Sequence, residues 1–500
     1  MIEQSPSLWP ALWAWVLTAA QVIVAVIASA HVILHKRDVR AAIGWVGLIW
    51  FVPFGGPVLY LLFGINRIRR RAADLRGPRP AGRPAGMHPV AAARLPTLLP
   101  PPARHLAALG ELHDRINDAP LTEGNRIAVF TRGRDAYAAM LAAIDAAQRT
   151  VGLMTYIFDV DASGTAFIDA LERARRRGVQ VRVLIDGVGA RYTRPPASRV
   201  LARRGIRSAE FLPTGFPFVM PYANLRNHRK ILVVDGTVGF TGGMNIRHGQ
   251  VVERGRDAIA DVHFRIDGPV VDHLGVTFLE DWLFATGETL GGEWFQPPLA
   301  NDALLHPRRL GGVWQPIEGV AARGIAAGPD EAFERIRWTI LAALALAERR
   351  VSIVTPYFVP DQTLMTALSL AAMRGVRVDI VMPKRGNLRL VRWASRAKLP
   401  HLLARGCRIW LTPEPFDHAK LMTVDDAWSL VGSGNWDERS LRLNFEFNVE
   451  CYGNAMASAV DALIQARIAV AKPCTFADAA GRPLLIRLRD GAAWLASPYL

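Results

Sequence analysis

The chain has little with which to cross-link itself or hold a metal. Its three cysteines, Cys407, Cys451 and Cys474, are odd in number and lack metal-ligand spacing. Neither a disulfide framework nor a zinc site is therefore indicated, and a reducing, cytosolic setting fits the main body. There is no HExxH pair and no acidic cluster suited to a hard cation, so neither metal nor cofactor is expected. Lysine is scarce, and the formal net charge of +16 comes almost wholly from arginine. Such an excess suits an anionic partner, nucleic acid or acidic lipid, and charge alone does not choose between them. Disorder is excluded for most of the chain, because 500 residues of which 51% are hydrophobic can bury sizeable cores.

Asp, Glu, Lys and Arg are missing altogether from two long stretches, residues 4–35 and 41–66. Each exceeds the ~20 apolar residues that cross a bilayer as a helix. Only Glu3 precedes the first stretch, which therefore lacks the basic flank of a secretory signal and reads as a retained anchor, with Trp9, Trp13 and Trp15 near one interface. The second contains Pro53-Phe54-Gly55-Gly56-Pro57, a break that a straight helix would not choose, so this run is kinked or re-entrant. Lys36, Arg37 and Arg40 lie between the stretches, and Arg67, Arg69, Arg70 and Arg71 follow the second. If both flanks obey the positive-inside tendency, the second run dips in and returns; in either topology the heavier Arg cluster argues that residues 67–500 face the cytoplasm. Residues 1–66 are thus expected to form a membrane anchor of two apolar helical segments. Residues 67–124 should be a basic linker with a lead-in helix, and the part at 77–102, ending in three prolines, has the composition of a linker and not of a packed element.

From about Asn125 the signals alternate as in an α/β protein, and they do so twice. A strand at 151–158, a helix at 167–177 and a strand at 179–185 are followed after residue 326 by a helix at 330–349 and strands at 351–356 and 376–381. RRGVQVRVLID and MRGVRVDIVMP are copies of one device, and so are Tyr156-Ile-Phe-Asp and Tyr357-Phe-Val-Pro. Residues 125–310 and 311–500 are therefore read as two duplicated α/β halves packed about a pseudo-twofold axis.

Each half closes with the same phrase. Residues 224–245 read NLRNHRKILVVDGTVGFTGGMN and residues 414–435 read EPFDHAKLMTVDDAWSLVGSGN: His-x-Lys, four residues, Asp, six residues, then a small-residue step ending in Asn. The apolar run after His-x-Lys reads as a strand, so His and Lys at i and i+2 share a face. Asp235-Gly236 signals a hairpin turn, and the small residues beyond it would expose backbone N–H groups which, with the Asn amide, make a pocket for phosphate oxygens. One copy alone would be an ordinary surface pair and a turn. Two copies packed about a twofold bring His228, Lys230, Asn245 and His418, Lys420, Asn435 to one cleft. Imidazole can act there as nucleophile or general acid at neutral pH, with lysines and amides stabilising charge, which gives phosphoryl exchange through a phosphohistidine.

The doubled pattern resembles the signature of the phospholipase D superfamily, from Asn125 to the end of the chain. The flanking words YLLFGIN, NLRNHRK and NWDERSLRLNFEFN, and more weakly the closing ASPYL, are similar to the bacterial cardiolipin synthases. The resemblance implies a membrane-bound transferase that moves a phosphatidyl group from one phosphatidylglycerol to another and releases glycerol. It also implies catalytic roles for His228, Lys230, Asp235, His418, Lys420 and Asp425, supported by Asn245, Gly243, Asn435 and Ser433. A carboxylate beyond each motif should hold a catalytic histidine: Glu446 in the second half, and Asp261, or else Asp257, in the first. By the same resemblance His228 attacks phosphorus, and His418, oriented by Glu446, transfers the proton. Gly243 departs from the superfamily's usual Ser, which Ser433 keeps; cardiolipin synthases commonly share that departure. The rival readings are a phospholipase D-type hydrolase on the same scaffold and, against the membrane stretches, a nuclease. No nucleic-acid partner is expected, and the site of action implied is the bacterial inner membrane.

Overall fold

The computed structural model describes residues 9–36, 39–64, 94–213, 225–253, 255, 257–295, 316–328 and 334–497. Expectations that fall on residues 67–71, on most of the linker and on residues 498–500 lie outside them. Two compact units emerge, an N-terminal one through residue 71 and the α/β body.

In the N-terminal unit, helix α1 spans Trp9–His35 and helix α2 spans Val39–Phe51. Among the described residues α1 is the one helix long and apolar enough to cross a membrane, with a mean hydropathy of 2.2 over Leu12–His35. The second apolar run is broken, as Pro53 requires: α2 stops at 13 residues, and a short helix at Gly55–Leu59 and a π-helical turn at Tyr60–Gly64 follow. A glycine is needed at the fold-back, because a Cβ on Gly56 would lie 2.2 Å from the Leu48 carbonyl oxygen. His31 Nδ1 meets the Tyr60 hydroxyl at 2.8 Å and Trp50 Nε1 donates to Ser29 Oγ at 3.2 Å, so polar groups in this apolar unit satisfy one another.

The body is built on one fifteen-stranded sheet. In chain order its strands are β1 Thr122–Phe130, β2 Thr150–Thr155, β3 Gln180–Asp186, β4 Arg207–Phe211, β5 Ile231–Val234, β6 Val238–Gly242 and β7 His263–Asp267. Then come β8 Ile317–Ala327, β9 Arg350–Val354, β10 Arg377–Pro383, β11 Arg408–Thr412, β12 Leu421–Val424, β13 Trp428–Gly432, β14 Glu446–Tyr452 and the edge strand β15 Lys472–Cys474. Across the sheet the order is β15-β11-β10-β9-β12-β13-β14-β8-β1-β7-β6-β5-β2-β3-β4. Adding seven to each label of the first half gives its counterpart in the second. β1 and β8 pair antiparallel at the centre, as a twofold between them demands. Within each half, β2-β3-β4 and β9-β10-β11 are parallel and joined by helices, whereas the remaining strands pair antiparallel.

The longer helices of the body are α3 Gly133–Ala146, α4 Ala162–Arg176, α5 Val270–Thr286, α6 Arg335–Leu346, α7 Gln362–Met373, α8 Arg389–Leu403, α9 Asn454–Val470 and α10 Leu484–Leu495. α3 and α4 cover one face of the first half and α6 and α7 the same part of the second, each over its own apolar core. α5 and α9 share a third core with strands of both halves, which welds the duplication into one body.

One expectation is corrected here. The end of the Pro-rich segment is packed: Leu95, Leu99, Ala103 and Leu106 are buried in the core of the second half, as are residues of the lead-in helix Ala107–Ile116. Proline density suggests a linker, but the prolines alternate with apolar residues that a short helix and a 3-10 turn direct inward.

Candidate active site

The site is assembled from two equivalent hairpins, β5–β6 and β12–β13. Both turns have two residues at positive φ, Asp235 and Gly236 in one, Asp425 and Asp426 in the other, as a tight hairpin requires. The motif aspartates do not reach the cleft. The Asp235 carboxylate accepts from the backbone N–H groups of Gln148, Arg149 and Thr150 at 2.8–2.9 Å, and Asp425 accepts from Glu348, Arg349 and Arg350 at the same distances. Each thus ties the loop ahead of β2 or β9 to the hairpin, and the assignment of Asp235 and Asp425 to catalysis is corrected to a scaffold role. A strand pattern puts His and Asp close together in sequence but at opposite ends of the strand.

At the other end the histidines enter. His228 N–H donates to the Phe445 carbonyl at 2.8 Å, and His418 N–H to the Ala260 carbonyl at 2.7 Å, so each motif is stitched to the opposite half. The side chains follow the same crossing. His418 Nδ1 is 2.8 Å from Asp261 Oδ2, and His228 Nδ1 is 3.4 Å from Glu446 Oε1. The expected pairing of His418 with Glu446 is therefore overturned: Glu446 serves His228, and Asp261 serves His418. Position along the chain suggests a partner within the same half, whereas the antiparallel seam places the opposite half's strand beside each motif. With both Nδ1 atoms turned to carboxylates, Nε2 is the atom each imidazole presents to the cleft, and on His418 that atom also lies 3.0 Å from Lys420 Nζ. His228, Lys230, Asn245, His418 and Asn435 line one cleft of about 190 Å³, and Lys420 stands behind His418.

The small-residue steps do a different job from the one their composition suggests. Gly242 and Gly432 have φ of 146° and 154°, and a Cβ there would lie 2.6 and 2.4 Å from the neighbouring strand's carbonyl oxygen. The N–H groups of Gly243 and Ser433 are taken by the carbonyls of Val262 and Phe447, both at 3.0 Å, and Gly434 N–H by Asn448 Oδ1 at 3.0 Å. These amides do not cradle phosphate, and neither Gly243 nor Ser433 lines the cleft. Asn245 does. Its Oδ1 accepts from Ile157 N–H at 3.1 Å, which leaves the amide N–H donors for a ligand.

Burial, and then the adjacent Lys230, push the His228 imidazole down to about 4 against the opposing pull of Glu446. Burial followed by Lys420 lowers His418 too, against Asp261. Burial lowers Lys230 to about 8 and Lys420 to about 7. Burial alone would raise Asp261 and Glu446, but His418 on one and His228 on the other hold both carboxyls below their ordinary range. The free cleft therefore holds a neutral His228 imidazole beside Glu446, and two ammonium groups whose charge an anionic phosphodiester would stabilise.

The repeat of Tyr156 and Tyr357 is plain in the sequence, yet nothing there places them in the site. They flank the two histidines, with ring centroids 4.4 Å from His228 and 6.2 Å from His418. Their recurrence just after β2 and β9 was the available signal. Asp437 and Arg439 also line the cleft, and nothing in the motif spacing marks them.

A sheet duplicated about a twofold, with one His-x-Lys from each half meeting at the seam, is the architecture of phospholipase D-like proteins. The family described as "Cardiolipin synthase, PLD-like domain" matches residues 140–282 and 340–468, and "Phospholipase_D-nuclease N-terminal" matches residues 23–64. The cardiolipin synthase of Geobacillus thermodenitrificans is 33% identical over 93% of this chain and 90% of its own length, and the major cardiolipin synthase of Bacillus subtilis is 30% identical over 93% and 95%. The phosphatidylserine synthase of Haemophilus influenzae superimposes with a TM-score of 0.59 at 14% identity over 79% of this chain and all of that one, a likeness of fold. The chain belongs to the cardiolipin synthase family of phospholipase D-like proteins.

Proposed function

We propose that this protein is a phosphatidyltransferase that makes cardiolipin from two phosphatidylglycerol molecules and releases glycerol. The observation that carries the reading is the crossed pair at the seam, His228 with Glu446 and His418 with Asp261, facing one cleft in a member of this family. His228 Nε2 attacks phosphorus, and the departing glycerol oxygen takes a proton from Nε2 of His418, which Asp261 and the bound phosphodiester anion hold as the imidazolium. The hydroxyl of the second phosphatidylglycerol then gives its proton to His418 as its oxygen attacks phosphorus, and His228 leaves. One P–O bond is exchanged for another, and both histidines return to their starting states. Lys230, Lys420 and Asn245 hold the phosphoryl oxygens throughout. The apolar α1 keeps the enzyme in the bilayer of its substrate, the bacterial inner membrane, and the arginines at 67–71 favour a body on the cytoplasmic side.

The test is to incubate full-length protein in mixed micelles with phosphatidylglycerol labelled in glycerol and phosphatidyl parts, and to separate the products. Cardiolipin with free glycerol is expected; phosphatidic acid as the sole product means hydrolysis and overturns transfer. Ethanolamine release from phosphatidylethanolamine in place of glycerol would change the donor. Topology is read from a Gly82→Cys variant in intact cells, where labelling by an impermeant thiol reagent from outside would overturn the cytoplasmic placement.

A further inference from the structure

The body carries an unpartnered apolar face far from α1 in sequence. On α10, Leu484, Leu488 and Leu495 fall at i, i+4 and i+11 and so share one stripe, with Leu485 beside it. They are 67%, 59%, 74% and 80% exposed. Phe476, on the short helix before α10, is 52% exposed. Soluble surfaces scatter single leucines, whereas a contiguous stripe marks a contact.

Beside the stripe lies a concentration of positive charge. Arg396, Arg389, Arg489 and Arg385 all depress the Arg392 guanidinium, after burial, which places four other arginines around it. Arg385 pairs with Glu414 and Arg489 with Asp490; among the described residues Arg389, Arg392 and Arg396 have no carboxylate partner. α8 carries this row and packs along α10, and between them opens a groove of about 710 Å³ lined by Lys398, Arg487, Leu484, Leu488 and Trp494. The other end of α8 is continuous with the active site, since Asn387, Leu388 and Val391 line the catalytic cleft. Leu388 and Leu390 at that rim are themselves half-exposed.

Leucines beside unpaired arginines, joined by one helix to the mouth of a cleft, match a surface that is apolar beneath and anionic at its headgroups. We propose that α8 and α10 form a second membrane contact, docking on an anionic bilayer with the α10 leucines at the headgroup boundary and the cleft mouth held against the lipid. This rests on the lipid-substrate reading above, and it adds that the substrate enters along α8.

The test uses the full chain in nanodiscs, so that α1 is inserted throughout. A fluorophore is placed on Leu485→Cys in a Cys474→Ser background, because Cys407 and Cys451 are buried. A second variant carries it on Arg203→Cys, an exposed position on the first half. The discs contain phosphatidylcholine with a nitroxide high on its acyl chain, with or without phosphatidylglycerol. Strong quenching at position 485 but not at position 203, largest with phosphatidylglycerol and reduced when Arg389, Arg392 and Arg396 become Gln, is expected. Equal quenching at the two positions, or a disulfide joining the thiols introduced at position 485 of two copies in place of quenching, overturns the proposal. Leu484→Glu with Leu488→Glu should raise the KM for phosphatidylglycerol in a bilayer about tenfold while leaving kcat on a water-soluble short-chain analogue unchanged. Quenching at position 485 in a protein that makes no cardiolipin would instead remove the proposed function and leave the docking surface.

Discussion

The two halves solve one problem, how to hold a carboxylate against the partner half's histidine, in different ways. In the second, Glu446 sits in a cradle of side-chain donors: Ser433 Oγ and Ser440 Oγ at 2.6 Å each and Asn444 Nδ2 at 3.2 Å, with His228 beyond at 3.4 Å. In the first, Asp261 Oδ1 accepts Val262 N–H at 2.8 Å and Oδ2 is left for His418 at 2.8 Å. The shorter carboxylate occupies the space that a side chain at 243 would fill, since a Cβ on Gly243 would lie 2.1 Å from Asp261 Oδ1. Gly243 is thus the counterpart of Ser433 in place but not in role. The difference separates the histidines: a carboxylate committed to one imidazole favours its holding a proton, and one that is shared leaves its imidazole freer to attack. This supports His228 as nucleophile and His418 as proton carrier, with Asp261 in the orienting place.

The largest effect that can break this comparison comes from removing an imidazole. His228→Ala and His418→Ala should each lower turnover by about a thousandfold or more, and so do not distinguish the roles. A phosphatidyl ester with a p-nitrophenol leaving group does, because that group departs without a proton. Acid-sparing quench and peptide mass spectrometry should then find His228 labelled in His418→Ala and nothing labelled in His228→Ala. Label on His418 reverses the roles.

Next in size is the exchange at 243 and 433. Gly243→Ser must displace Asp261 and should cost roughly tenfold to a hundredfold in kcat, together with about 1–3 kcal/mol of stability from overpacking. Ser433→Gly removes one charge-assisted hydrogen bond and opens no clash, so about 1–2 kcal/mol of stability and a smaller loss of rate are expected. Gly243→Ser combined with Asp261→Glu reproduces the second half's pair and should recover part of the lost rate; no recovery means that the two devices are not interchangeable.

The scaffold aspartates come below these. Asp235→Ala leaves three backbone N–H groups without their acceptor and should cost about 3 kcal/mol, read as a fall in Tm, with near-normal turnover per folded molecule. Asp425→Ala should cost more, because Asp425 also accepts from His105 Nε2 at 3.0 Å. Loss of turnover without loss of Tm would return these residues to the catalytic set.

The duplication, the strand and helix sequence of each half and the five cleft-lining motif residues were legible because they are local: repeated words, period-2 apolar runs, turn dipeptides. What was not legible is what depends on the seam. Nothing in the spacing of Asp261 or Glu446 tells which histidine each meets, because the answer lies in which strand crosses to the other half. The misplacement of Asp235 and Asp425 has a similar origin: a motif is contiguous in sequence, but a hairpin carries its two ends apart. The buried Leu95 and Leu99 were hidden by neighbouring prolines, whose effect on local structure is strong and whose bearing on burial is weak.

The finest test separates the lysines. Burial, opposed by the surrounding carboxylates, lowers Lys420 to about 7 and Lys230 to about 8. An amine is charged below its pKa, so as pH rises Lys420 loses its proton first, and the cleft loses part of the positive charge that binds the phosphodiester. kcat/KM, which reports the free enzyme, should therefore fall on the alkaline side from about pH 7. On the acid side His228, lowered to about 4, stays neutral well below the pH at which an ordinary imidazole protonates. A bound anion favours the ammonium form, so the alkaline limb of kcat should lie above that of kcat/KM. Lys420→Arg keeps its charge at every working pH and should move the alkaline limb of kcat/KM up toward that of Lys230, at a few-fold cost in rate from the different shape of guanidinium. Lys230→Arg should leave the limb where Lys420 sets it. If both substitutions shift the limb equally, the lysines titrate as one coupled pair, and the asymmetry between the halves stops at their carboxylates.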